Sequence, residues 1–196
     1  MKRVPALLVA WLLAFGPSGA SAAVSTAMPL PGDSVLRLPG RFVDQDGRPF
    51  ILAQRRGQPQ LVTMFYSSCK YACPLLIDSG KGVEHALAPA EREKLRLLYI
   101  SLDPVRDEPR VLSALATKRK LDRSRWTLAR TDAASVRKTA AVLGVRYRAL
   151  ANGEFNHSSV LILLDAQGRI VARSEKMGRA PDPEFLAKVR ATLGKS

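Results

Sequence analysis

The chain has only two cysteines, in Ser68-Cys69-Lys70-Tyr71-Ala72-Cys73-Pro74. Sulfurs at CxxxC spacing can close a disulfide, exchange electrons with a partner's thiols, or hold a soft metal ion. Ahead of them runs Gln60-Leu61-Val62-Thr63-Met64-Phe65-Tyr66, apolar, β-branched and aromatic and of strand length, and Pro74 opens a helical pattern behind them. The pair is therefore expected at a strand-to-helix turn, on the loop and first helical turn, because proline biases Cys73 away from αR backbone. Free N–H groups at a helix N-terminus favour an anion and Lys70 adds a positive charge, so thiolate should form more readily here than in a free cysteine. Helical i and i+4 positions lie about 6 Å apart, inside the Cα range a disulfide tolerates. A plain structural disulfide or two buried thiols is the simpler alternative.

Two histidines could add a ligand. His85, in Val83-Glu84-His85-Ala86, reads as an exposed histidine on a polar stretch of helix. His157, in Phe155-Asn156-His157-Ser158-Ser159, stands where a loop enters the apolar run Val160 to Leu164, and on spacing alone it suits a ligand and a hydrogen-bonded loop residue equally. Asp103 and Asp107 could tune a site or touch a partner. Capping of a helix that starts near Pro109, by Asp107 or Glu108, explains them at least as well.

The elements that must position these residues follow from patterning. Asp46-Gly47 between Arg41–Asp44 and Pro49–Leu52 signals a hairpin. After the cysteines come a helix to Leu87, weakened by Gly80 and Gly82, and a short charged turn at 90–94. A buried strand over 95–102, a helix from Pro109 to Lys120, a strand at Trp126–Ala129 and a helix capped by Thr131-Asp132 and stopped by Gly144 continue the alternation. Asn152-Gly153 and Ala166-Gln167-Gly168 turn two further hairpins, and a helix over Pro183–Leu193 closes the chain. Strands alternating with helices, then a terminal hairpin and helix, argue for an α/β sheet of mixed direction flanked by helices on both faces. Ligand chemistry in such sheets gathers at the carboxyl ends of the parallel strands, where Cys69, Cys73 and Asp103 would fall.

Residues 1–22 read as a signal peptide: a basic start at Lys2-Arg3, an apolar run from Val4 to Phe15, and Ala20-Ser21-Ala22 as a cleavage pattern, with an uncleaved anchor as the alternative. Residues 23–40 read as a linker and edge segment with a strand near Val35 to Leu38, and 41–196 as one folded domain. Both readings of the N-terminus place the domain beyond a membrane, in the periplasm, where two cysteines can cycle between thiols and a disulfide. Loss of Lys2 and Arg3 would take the formal charge from +14 to +12. The basic residues form no dense run and no nucleic-acid motif is interleaved with them, which argues against nucleic acid. The basic surface suits acidic protein partners or anionic lipid head groups, so association with a membrane surface is among the expectations.

Three stretches together resemble the Sco/SenC family of thioredoxin-fold copper proteins: Phe65-Tyr66-Ser67-Ser68-Cys69-Lys70-Tyr71-Ala72-Cys73-Pro74, then Ser101-Leu102-Asp103-Pro104-Val105-Arg106-Asp107, then Asn156-His157-Ser158-Ser159 ahead of Leu163-Leu164-Asp165-Ala166-Gln167-Gly168-Arg169. The resemblance runs from about Arg41 to the end. It implies a thioredoxin-like domain with an N-terminal β-hairpin extension and a copper site made by Cys69, Cys73 and His157. It also implies a metallochaperone, expected as a monomer, that serves the copper site of a respiratory oxidase such as cytochrome c oxidase, with an oxidase subunit as partner. Many members carry an acidic residue before the histidine, where Asn156 stands here. Two thiolates and an imidazole suit Cu(I) in low coordination and can also hold Cu(II) or, with a water, zinc.

The rival is a thiol-disulfide oxidoreductase that reduces the cysteines of a partner's copper site, with Cys69 and Cys73 as its redox pair. Thioredoxin-like reductants usually have CxxC and a facing cis-proline, and here CxxxC and His157-Ser158-Ser159 stand instead. A peroxidase of the peroxiredoxin type would have proline and threonine before its cysteine, not Ser67-Ser68.

Overall fold

In the computed structural model, which describes residues 29–69 and 72–195, the Asp46-Gly47 turn joins β1 (Phe42–Asp44) to β2 (Pro49–Phe50) as an antiparallel hairpin. Gly47 sits at φ +78°, left-handed backbone that glycine adopts without a Cβ clash. β3 (Gln60–Phe65) leads into α1 (Ala72–Ala86), and α2 (Pro89–Lys94), β4 (Arg96–Ser101), α3 (Pro109–Lys118) and β5 (Trp126–Arg130) continue the alternation. α4 (Ala133–Leu143) starts where the Asp132 carboxylate accepts from the Ala134 and Ser135 N–H groups, and it ends at Gly144 in αL backbone. β6 (Tyr147–Ala149) and β7 (Phe155–His157) pair with each other, β8 (Leu161–Leu164) pairs with β9 (Ile170–Ser174), and α5 (Pro183–Leu193) follows.

Seven strands form one sheet in the order β2-β1-β5-β4-β3-β8-β9, while β6 and β7 make a separate two-stranded sheet. β3, β4 and β5 run parallel; β8 and β1 flank them antiparallel. Because side chains alternate across a strand, each strand feeds two cores. Leu61, Phe65, Leu97, Tyr99 and Leu163 pack under Leu76 and Ile77 of α1, Leu112 of α3 and Phe185 and Val189 of α5. Val62, Met64, Leu98, Ile100 and Ile162 pack under Val136, Ala140 and Leu143 of α4. The mixed sheet flanked by helices on both faces, with its N-terminal hairpin, is thus the architecture expected from the sequence.

The expected edge strand near Val35 to Leu38 does not form. Val35–Arg37 is a 3-10 turn whose start is held by Ser34 Oγ accepting from the Leu36 N–H. Val35 and Leu36 are both buried, whereas successive strand residues would face opposite sides. Gly80 and Gly82 also have a reason that periodicity hides. A Cβ at Gly80 would collide with Tyr99 Oη and the Trp126 ring, and one at Gly82 with the Arg179 carbonyl, so Gly80 lets α1 lie close to the sheet and Gly82 lets the segment before α5 lie against α1. The segment read as a signal peptide or anchor, residues 1–22, lies outside the described residues. Among the described residues no helix is long and apolar enough to cross a membrane.

Candidate metal centre

Three elements converge at the carboxyl end of the parallel strands. β3 stops at Phe65, and Tyr66, Ser67 and Ser68 turn the chain so that the Cys69 N–H donates to the Tyr66 carbonyl, 3.3 Å away. Cys73 lies in the first turn of α1, which begins at Ala72, two residues earlier than the Pro74 start suggested by the pattern. Proline is tolerated in that first turn because its missing N–H has no intrahelical partner there. Cys73 is 3% exposed, Cys69 is half-buried, and the two are not disulfide-bonded. The Cys73 N–H donates to Cys69 Sγ and the Tyr66 N–H to Cys73 Sγ, each over 3.4 Å. Both bonds favour thiolate, as does the helix N-terminus.

His157 ends β7 and brings the third donor. Its Nδ1 lies 3.2 Å from the Ser158 carbonyl, which can only accept, so Nδ1 carries the proton and Nε2 keeps its lone pair. That Nε2 is 3.9 Å from Cys73 Sγ. Donor atoms of Cys69, Cys73 and His157 all lie within 4.8 Å of one another. Two donors each about 2.0–2.3 Å from a shared ion, at trigonal or tetrahedral angles, stand about 3.5–4 Å apart. The observed sulfur-to-nitrogen distance is that of a pair able to share an ion. His85 is exposed on α1 and does not join the cluster.

Burial sets the protonation of the site. It pushes the Cys73 thiol far up, the Tyr66 N–H opposing this and the charges of Cys69 and Asp107 adding to it. It pushes the His157 imidazole below its ordinary value, with the Ser158 carbonyl opposing. At neutral pH the imidazole is therefore neutral and ready to donate, while Cys73 keeps its proton until a positive charge compensates the thiolate. A bound cation supplies that charge.

A further layer holds the donors in place. The Asp107 carboxylate, 1% exposed, accepts from the Ser67 N–H at 3.1 and 3.2 Å, from Ser67 Oγ and from Ser101 Oγ. Burial raises its carboxyl above the usual range against these bonds. Helix capping by Asp107 or Glu108 is thereby overturned: neither side chain bonds the start of α3, and Glu108 pairs with Arg110. Asp107 instead fastens the turn before Cys69 to the end of β4. Asp103 pairs with Arg106, which also donates to the Gly153 carbonyl in the β6–β7 turn. Tyr66 Oη bonds Glu154 Oε2 at 2.8 Å, and its ring meets Phe155 and His157 edge-on, at 5.2 and 5.7 Å between centroids. Tyr66 and Glu154 were not singled out by sequence reasoning. Tyr66 reads as the last residue of a strand, and nothing around Glu154 announces a partner 88 positions away.

The SCO1/SenC family profile matches residues 32–194. The chain belongs to the SCO1/SenC family. The SCO1 protein homolog of Bacillus subtilis (strain 168) is 27% identical over 88 residues, 45% of this chain and 45% of that protein, so the match covers under half of that relative's length. The solved structure of Bradyrhizobium japonicum ScoI with copper bound superposes with a TM-score of 0.65 at 22% identity, over 79% of this chain and 97% of that one. BsSco, described through a disulfide switch and as a member of the Sco family of cytochrome c oxidase assembly proteins, superposes at 0.68 with 18% identity, over 81% and 94%. At these identities the structural likeness establishes the fold.

In this SCO1/SenC protein Asp107→Ala would strand the Ser67 N–H and two hydroxyls without their acceptor. The expected loss in urea unfolding is about 1–3 kcal/mol, with a smaller loss for Asp107→Asn, which keeps one acceptor oxygen. Equal stability of Asp107→Ala and wild type would contradict the anchoring role.

Proposed function

We propose that the protein is a copper metallochaperone that holds one copper ion on Cys69, Cys73 and His157 and delivers it to a partner protein, an oxidase subunit. The observation that carries this reading is the convergence of two sulfurs and a neutral imidazole within 4.8 Å. Soft thiolates with one imidazole match Cu(I) in low coordination better than they match hard cations. Family membership supports the reading, as do the copper in Bradyrhizobium japonicum ScoI and the membership of BsSco in the Sco family of cytochrome c oxidase assembly proteins.

Copper is the cargo here, and the residues divide the work of holding and releasing it. Cys73 sits deepest, so it anchors the ion, with the His157 imidazole beside it. Half-buried Cys69 lines a groove of about 320 Å³, from which an acceptor's ligand can enter and displace it first. Three donors leave room for such an incoming ligand, so release proceeds by ligand exchange without a naked ion.

One observation also favours the oxidoreductase reading: an accessible thiol beside a buried one is the arrangement of an exchanging pair. Cys69 thiolate would attack a partner disulfide, Cys73 would release the partner's second thiol, and the pair would end as a disulfide with two electrons passed on. The raised pKa of Cys73 slows that second step. The copper reading is preferred because a third donor, His157 Nε2, stands 3.9 Å from Cys73 Sγ and has no part in that exchange.

Protein purified under reducing conditions should bind about one copper per chain. His157→Ala should lower Cu(I) affinity by more than the roughly 10–100-fold typical of residues that only orient a ligand, while the disulfide still forms and the fold survives. His85→Ala should change nothing. Wild-type affinity in folded His157→Ala protein, or uptake of zinc alone, would overturn the proposal.

The compartment is proposed on the N-terminal pattern: export to the periplasm, with a mature chain beginning near Ala23. Intact mass of the exported protein decides this, and a membrane-bound product that retains Met1 to Ala22 would replace it with an anchored form.

A further inference from the structure

Three depressions with basic walls are lined by residues of the site or by their neighbours. The groove that contains Cys69 and Cys73 is also lined by Lys118 and Arg119 at the end of α3. The same two residues line a pocket of about 360 Å³ that includes Lys120 and Arg179. His157 lines a third depression, about 330 Å³, with Arg146 and Arg148. The side chains of Lys118, Lys120, Arg146, Arg148 and Arg179 are exposed and have no hydrogen bond or ion pair among the described residues. Carboxylates beside them are already committed: Asp78 to Arg119 at 2.6 Å, Asp103 to Arg106, and Glu154 to Tyr66. The positive potential around the site is thus left uncompensated.

Apolar side chains also stand exposed on the segments that build the site. Leu75 is 47% exposed, Val105 81% and Leu150 36%. Each belongs to a different segment that builds the site: Leu75 follows Cys73-Pro74, Val105 lies between Asp103 and Arg106, and Leu150 precedes the Asn152-Gly153 turn that leads to His157. Exposed apolar anchors inside a charged rim are the anatomy of a protein interface. We infer that this face docks a protein partner that presents carboxylates around an apolar contact, in an orientation that brings its own ligand or disulfide sulfurs over Cys69. The inference rests on reading the sulfur site as one that meets a partner. A flat anionic bilayer is the poorer fit, since it would meet the lysines without entering the depressions or approaching buried Cys73. Complementary charge also steers encounter, which suits a donor that must find its acceptor before the cargo is lost.

The test uses the reduced, metal-free mature chain, so that its outcome is independent of copper binding. The probe is a fluorescein-labelled peptide without cysteine, with a Leu-Phe centre flanked by six glutamates, compared with the same peptide carrying glutamines. Binding is read by anisotropy at low and high salt, for wild type, for Lys118→Glu/Lys120→Glu/Arg179→Glu, and for Arg137→Glu/Lys138→Glu/Lys188→Glu. The second triple makes the same change in net charge at exposed positions on α4 and α5. Thermal unfolding confirms that both variants fold. The expected result is a loss of about tenfold or more in the first triple, at most about twofold in the second, and weak binding of the glutamine peptide throughout. Equal losses in the two triples would reduce the effect to overall charge and overturn the inference. Selective loss of binding to vesicles of anionic phospholipid, with peptide binding unchanged, would overturn it in favour of a lipid surface. Protein that binds the peptide selectively but takes up no copper would keep the docking face and remove the copper reading.

Discussion

The Tyr66 N–H bonds Cys73 Sγ while the Tyr66 ring packs on Phe155 and His157, and this one residue joins two elements that share no sheet. The cysteines are positioned by β3 and α1, in the middle of the seven-stranded sheet. His157 comes from the β6–β7 hairpin, which no strand ladder fixes to that sheet. Its approach to Cys73 is held instead by Tyr66, by the Tyr66–Glu154 hydrogen bond and by Arg106 on the Gly153 carbonyl. An aromatic pair contributes about 0.5–1.5 kcal/mol beyond area burial and a hydrogen bond about 1 kcal/mol net, and Phe155 and Tyr147 add apolar packing against the two cores. That is firm enough to hold the imidazole beside Cys73.

Burial then decides the chemistry that this geometry permits. An exposed CxxxC pair at a helix N-terminus would ionise easily. Here the buried sulfur resists ionisation while the imidazole beside it is neutral, so an arriving soft cation finds a ready nitrogen and a thiol that yields its proton only in exchange for positive charge. The expectation that Cys73 would form thiolate readily, drawn from Lys70 and the helix end, underrated the loss of water around the sulfur. The Asp107 carboxylate behind Ser67 adds a further negative charge that opposes thiolate formation.

Elements with strong local signals were legible in the sequence. The Asp46-Gly47 and Asn152-Gly153 turns, the Asp132 cap, Gly144 and the span of α5 all followed from turn and cap chemistry. What escaped was decided by distant partners. Val35 and Leu36 look like a strand, yet both are buried in a 3-10 turn whose Val35 N–H bonds the Gly168 carbonyl far along the chain. Gly80 looks like a weak point in a helix, yet it is where Tyr99 and Trp126 press against α1. Asp107 sits one residue before the N-cap position of α3, and only the folded chain brings Ser67 and Ser101 to it. At the site, the cysteine pair was evident from spacing. His157 was ambiguous until β7 carried it to Cys73, because spacing along the chain says nothing about a hairpin's approach across space.

X-ray absorption at the copper edge, on protein loaded with one equivalent of Cu(I), tests the central claim most directly. The account predicts two sulfurs and one nitrogen bound to the ion, at distances of about 2.0–2.3 Å comparable to those in zinc sites with the same donors. Coordination by nitrogen and oxygen alone, or by sulfurs with no imidazole nitrogen, would contradict it.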